Sequence, residues 1–223
     1  MQNQRYNVFN QIHKGLRGML YETAIRVQQT HFSKAEASET IDQLNQVLLF
    51  FDEHAEHEDR FILPHIQKHN AQLIDELEKE HEIDHRLTQT LFDQIQEWKA
   101  ATSANQLEAI GQRLHFGFSE FIAFNLYHMN KEENELIHLL WKHYTDAEIR
   151  QMEHEIIQAI SPQTLMAESR WMMRSINDNE IIEWLSGVKH AAPAFVFDSF
   201  LQLAKEELPL ERLTKVHAAL EIA

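Results

Sequence analysis

Apolar positions recur every three or four residues along most of this chain, the rhythm of helices that bury one face. Phe9, His13, Leu16, Leu20 and Val27 share one stripe, which predicts a helix A from near Tyr6 to about Gln29. Ser33-Lys34-Ala35-Glu36 has the capping-box pattern and predicts the start of helix B. The inner face of helix B carries Leu44, Leu48, Phe51, Glu58 and Ile62, with His54 on its flank. Pro64 falls late in this stretch and predicts a distortion, because it has no N–H and crowds the preceding turn. Asn70 predicts the N-cap of helix C, with Leu73, Leu77, His81, His85, Phe92 and Ile95 facing inward. After Thr102–Asn105, helix D shows Leu114, Phe118, Phe121, His128, Glu132, Leu136 and Leu139.

The rhythm changes at Thr145-Asp146-Ala147-Glu148, another capping box. Ser161-Pro162 and Asn177-Asp178-Asn179-Glu180 mark two further helix starts, and Pro193 and Pro209 punctuate the remainder. This predicts four shorter helices over 146–223, with Trp171, Trp184, Phe195, Phe197 and Phe200 as core candidates and no evident internal repeat. The expected architecture is all-α: a four-helix bundle over 1–145 with neighbouring helices antiparallel, then a C-terminal helical extension over 146–223. Five Gly and four Pro in 223 residues fit long helices better than turn-rich β structure.

Ionisable groups interrupt every apolar stripe at mid-helix. Burying each one uncompensated costs several kcal/mol, so something must satisfy them. His54/Glu58, His81/His85 and His128/Glu132 are i, i+4 pairs, which places both members on one helix face. Their midpoints also coincide. His13 and His54 centre on 33.5; His54 with His85 and Glu58 with His81 both centre on 69.5; His85 with His128 and His81 with Glu132 both centre on 106.5. Helices folded back at those three places would bring His13, His54, Glu58, His81, His85, His128 and Glu132 to one depth. The pairs His65/His69 and His217/Glu221 have no such mirror partners, and Glu133 is the rival of Glu132. A lone core histidine is ordinarily just hydrogen-bonded; seven donors at one level point to a shared cation.

Charge and composition narrow the class. The net charge of −15 opposes binding to nucleic acid or anionic membrane. No apolar run reaches the ~18 residues of a transmembrane helix, and the first residues lack a secretion-signal layout, so a cytoplasmic location is expected. Zero Cys excludes disulfides and thiolate-held metals. Imidazole and carboxylate donors without sulfur suit iron, manganese or zinc. Seven donors exceed one ion and fit two, if each carboxylate bridges.

These residues resemble the hemerythrin-like family, also called the HHE cation-binding domain. The resemblance covers about residues 5–145 and rests on His13, His54-Ala55-Glu56-His57-Glu58-Asp59, Phe61-Ile62-Leu63-Pro64, His81-Glu82-Ile83-Asp84-His85 and His128-Met129-Asn130-Lys131-Glu132-Glu133. It implies an up-down-up-down bundle around two iron ions with a bridging oxo or hydroxo group. His81, His85 and His128 would serve one ion and His13 and His54 the other, with Glu58 and Glu132 bridging. Such a centre keeps one coordination position open for a small ligand: O2, NO or peroxide. His128-x3-Glu132 departs from the His-x4-Asp of blood-pigment hemerythrins and matches the broader, functionally mixed group. The reading that follows is a binding or sensing protein for oxygen or iron. Two alternatives remain: an oxidase- or peroxidase-type enzyme, and a metal-dependent interaction module whose 146–223 region engages a protein partner or a second copy.

Overall fold

A computed structural model of the chain describes residues 5–221, and every regular element among them is helical. The outermost residues of the two expected domains, 1–4 and 222–223, lie outside that range. No described helix is long and apolar enough to cross a membrane. Among the described residues, contacts concentrate in two compact units, 5–9 with Met19–Ala159 and Asn10–Gly18 with 160–221, so helix α1 (Asn10–Gln29) contributes to both.

The first unit is built on long helices that fold back on one another: the C-terminal part of α1, α2 (Ala37–Phe61), α4 (Ala71–Ala100) and α5 (Ala104–Lys131). Arg26 and Thr23 on α1 bond Gln43 on α2, at 2.7 and 2.8 Å, which locks the first pair side by side. The connections are set by caps. Asn70 Oδ1 accepts from Leu73 N–H at 3.2 Å and starts α4, and Ser103 Oγ accepts from Gln106 N–H at 3.3 Å and starts α5. Pro64 divides the second long helix at Ile62 and begins the short α3 (Leu63–Gln67).

The expected capping box at Ser33 does not form. Ser33 N–H and Oγ both donate to Glu108 Oε1, at 2.9 and 2.6 Å, and α2 starts later, at Ala37. A carboxylate offered by α5 takes both donors and leaves none for Glu36. Helix A also starts later than expected, at Asn10, where Asn7 Oδ1 first accepts from Phe9 N–H at 3.0 Å.

α5 runs into a π-helical turn, Glu132–Leu136, and then α6 (Ile137–His143). The wider turn inserts one residue into the helical repeat. The buried stripe therefore continues through Leu136, Ile137 and Leu140, while Leu139, expected inside, is only partly buried. These residues pack with Val8, Phe9, Ile62, Leu63, Ile66, Leu73, Ile74 and Leu77. Ile149 and Met152 of α7 (Asp146–Ala159) join the same core. Phe51, Leu91, Ile95, Leu114, Phe118 and Phe121 form apolar layers further along the long helices. Phe51 and Phe121 meet edge-on at 5.2 Å between ring centroids.

In the second unit, α8 (Pro162–Ser175), α9 (Asp178–Ala191), α10 (Ala194–Glu207) and α11 (Leu210–Ala219) surround Met173, Ile176, Ile181, Leu185, Phe200, Leu203 and Leu208. Residues 146–219 thus hold five helices, not four, because Pro193 and Pro209 each stand at an N-cap and begin a helix of their own. Their first residues, 146, 162, 178, 194 and 210, fall at intervals of sixteen. The capping boxes at Thr145 and Asn177 and the Ser161 cap all form. Trp171 and Phe200 are buried and Trp184 and Phe197 partly so; Phe195, at 71 % exposed, is no core residue.

Gly111 on α5 faces the Phe32 ring so closely that an added Cβ would sit 2.1 Å from it. Gly111→Ala is expected to destabilise by about 1–3 kcal/mol through overpacking, despite alanine's better helix propensity. Urea denaturation followed by circular dichroism checks this. A variant as stable as the parent would show that Phe32 moves aside freely.

Candidate metal centre

Four of the expected groups meet at mid-height in the first unit. Glu58 comes from α2, His81 from α4, His128 from α5, and Glu132 opens the π-helical turn. All four are buried, and each offers a donor atom within 4.8 Å of the others. His81 Nε2 lies 3.5 Å from Glu58 Oε2, and His128 Nε2 lies 3.2 Å from Glu132 Oε1. The two Nε2 atoms face each other at 3.0 Å.

The outer ring nitrogens explain what that approach means. His81 Nδ1 is 2.7 Å from Asp59 Oδ1, and His128 Nδ1 is 2.8 Å from Glu80 Oε2. An ionised carboxylate only accepts, so each Nδ1 carries the ring proton and donates it. In neutral rings both Nε2 atoms are then left with lone pairs turned toward one another, beside two buried carboxylates. That arrangement is repulsive unless a cation occupies it. It fits a metal held by imidazoles whose orientation is set by outer carboxylates. Lys131 holds Glu80 in turn, at 2.9 Å.

Burial alone would lower the pKa of both histidines. For His81 it is overcome by the hydrogen bonds to Asp59 and Glu58, which push it up to about 10. For His128 it is overcome by Glu132 and Glu80, which push it up to about 11. At 3.0 Å the two Nε2 atoms have room for one proton between them, so the upward pull belongs to the pair.

The remaining expected ligands are His54, His13 and His85. His54 Nε2 is 3.3 Å from Glu58 Oε1, one turn earlier on α2. His13 is fully buried on α1, in the stretch assigned to the second unit. Glu132 is fully buried and Glu133 only partly, which separates those two rivals. His85 is not brought into the cluster. Its side chain is 66 % exposed, and its Nδ1 lies 2.9 Å from Asp52 Oδ1.

The buried stripe of α4 runs Leu77, His81, Asp84, Thr88, Leu91 and Ile95, in alternating steps of three and four. Steps of four alone, Leu73, Leu77, His81 and His85, drift about 40° each on a helix of 3.6 residues per turn and leave the core by His85. Asp84 is therefore the inward group that the sequence reading missed. It accepts from Asn125 Nδ2 at 2.5 Å, and burial raises its pKa against the lowering pull of that bond. Asp59 and Glu80 were missed as well, although they centre on 69.5 like Glu58 and His81.

Without metal, the raised histidine pair stabilises the fold fully below pH 6.5, the ordinary imidazole value, and this contribution is lost as pH rises toward about 10. Thermal melting of chelated protein should therefore show its midpoint falling across that window. An added divalent ion replaces the shared proton, so the stabilisation it gives should grow as pH rises. A chelated midpoint that stays level or climbs over this range would contradict the assignment.

Comparison with curated proteins and with solved structures gave no match. The sequence profile of the Hemerythrin HHE cation binding domain matches residues 5–140, more than half of the chain. With a buried histidine–glutamate cluster suited to a metal ion in a helical bundle, the chain belongs to the hemerythrin HHE cation-binding family.

Proposed function

We propose that this protein is a non-haem di-iron binding protein that keeps a coordination position open for a small ligand, O2, NO or peroxide, and acts in oxygen or iron sensing, binding or storage. The observation that carries this reading is the approach of His81 Nε2 and His128 Nε2 to 3.0 Å while both Nδ1 atoms are engaged by carboxylates. Outer carboxylates that hold both Nδ1 protons leave both Nε2 atoms facing inward, the arrangement of metal-binding imidazoles. In this reading His81 and His128 serve one ion and His13 and His54 the second, with Glu58 and Glu132 shared between them. His85, turned outward onto Asp52, leaves the ion beside His81 and His128 short of a third imidazole. That shortfall supports an open position there.

Iron in such a site supplies a Lewis-acidic, redox-active atom; manganese or zinc suits the same donors. The protein's own groups do the rest. Asp59 and Glu80 fix the tautomer and the angle of the imidazoles. Phe124 lies parallel to the His128 ring, with centroids 6.2 Å apart. The layer of Leu77, Leu136 and Ile137 keeps bulk water from one side of the carboxylates.

Protein purified without chelator is expected to carry about two metal ions per chain, iron foremost. Glu80→Gln should weaken metal affinity by about 10–100-fold, the usual effect of losing an outer partner of a ligating histidine. His128→Ala should lose most of the metal. Elemental analysis, with an absorption spectrum in air, tests this. Wild-type protein that stays metal-free after iron reconstitution would end the proposal.

A further inference from the structure

The two imidazoles of the cluster lean on unlike outer acids. His81 leans on Asp59, whose side chain is 45 % exposed, so water screens its charge. His128 leans on Glu80, whose side chain is only 18 % exposed. A carboxylate so far withdrawn from water needs a counter-charge. Lys131 supplies it. Its Nζ donates to Glu80 Oε1 at 2.9 Å, while Glu80 Oε2 takes the His128 Nδ1 proton at 2.8 Å. One carboxylate is thus gripped at both oxygens by two residues of α5, three positions apart on one face of that helix.

The Lys131 side chain is itself only 12 % exposed, a rare place for an ammonium group. Its second acceptor is Glu76 Oε2 at 3.2 Å, one turn before Glu80 on α4, but that carboxylate is half-exposed and its charge is screened by water. In the drier layer behind His128, the charges of Lys131 and Glu80 therefore cancel. The cancellation matters because an outer carboxylate makes a ligating imidazole more basic. Uncancelled, Glu80 would draw the Nδ1 proton harder and turn His128 toward an imidazolate, beside the buried carboxylates of Glu58 and Glu132. Added negative charge there favours the oxidised, more highly charged state of a bound metal, and a poorly screening interior enlarges the effect.

We propose that Lys131 is a positioning residue for the metal centre: acting through Glu80, it holds His128 as a neutral imidazole and biases bound iron toward the reduced state. Aiming Glu80 at the ring is one half of this role, and cancelling its charge is the other. The inference rests on the metal-binding reading above and adds to it how this chain sets the balance between ferrous and ferric iron.

The test uses full-length, iron-reconstituted protein. Iron content and the midpoint potential of the iron are measured for each variant, with the nitrogen-15 resonances of the histidine rings in the zinc-loaded form. Lys131→Met removes the charge and keeps most of the side-chain length. It should retain iron and raise the ferric-to-ferrous affinity ratio by about tenfold or more, the scale of one unit charge gained near the site. For one electron a tenfold rise lowers the potential by about 59 mV. The His128 Nδ1 resonance should move toward the imidazolate position while that of His81 stays. Lys131→Arg keeps the charge and should restore the wild-type potential. Glu76→Gln, at the half-exposed acceptor, should change the ratio by less than about threefold. Lys131→Gln carries the test if Lys131→Met does not fold. An unchanged or higher potential in iron-loaded Lys131→Met or Lys131→Gln overturns the proposal, as does a Lys131→Arg potential as low as theirs. A His128 resonance that does not move, or loss of iron or of folding in both uncharged variants, overturns it as well. If wild-type protein itself takes up no iron, the functional reading has failed, an outcome distinct from these.

Discussion

Two imidazole Nε2 atoms, whose rings each donate the Nδ1 proton to an outer carboxylate, meet at 3.0 Å in the middle of a helical bundle. The charged groups of the cluster are arranged around that contact. Asp59 and Glu80 hold the ring protons outward. Glu58 and Glu132 bring buried negative charge to the inner side. Without added positive charge such a set is repulsive, because carboxylates and lone pairs repel one another at short range in a medium that screens poorly. A cation is therefore part of the structure's logic: one proton between the rings in its absence, metal in its presence.

The helices supply the rigidity this requires. Caps at Asn70 and Ser103 set the register of α4 and α5, so a cluster residue on one helix finds its partner on the next. Apolar layers around Leu77 on one side and Phe121 on the other confine the polar band to the middle of the bundle. The π-helical turn at Glu132 has a specific consequence. Glu132 stays inward, one turn from His128, while Leu136, Ile137 and Leu140 still reach the core beyond it.

Much of this could be read from residue order alone, since turn positions and mirror distances depend only on counting. Glu58 opposite His81, and Glu132 one turn from His128, follow from that arithmetic. Two of the misreadings share a cause: a contact from outside the local window. Steps of four kept His85 on the stripe, whereas packing against α5 selects Asp84. Glu108, seventy-five residues away, captured the Ser33 donors that spacing assigned to a cap. The π turn moved the buried leucine from 139 to 140. In the second unit, Pro193 and Pro209 were recognised as breaks but not as starts, which hid a fifth helix and the even sixteen-residue spacing.

Nitrogen-15 NMR of the histidine rings, assigned by single His→Gln variants, tests the central arrangement most directly. Chelated protein should show the ring proton on Nδ1 in both His81 and His128, with one further proton exchanging between their Nε2 atoms. Added zinc should then shift both Nε2 resonances and leave both Nδ1 atoms protonated. Either ring carrying its proton on Nε2 alone, or Nε2 resonances indifferent to zinc, would contradict the account.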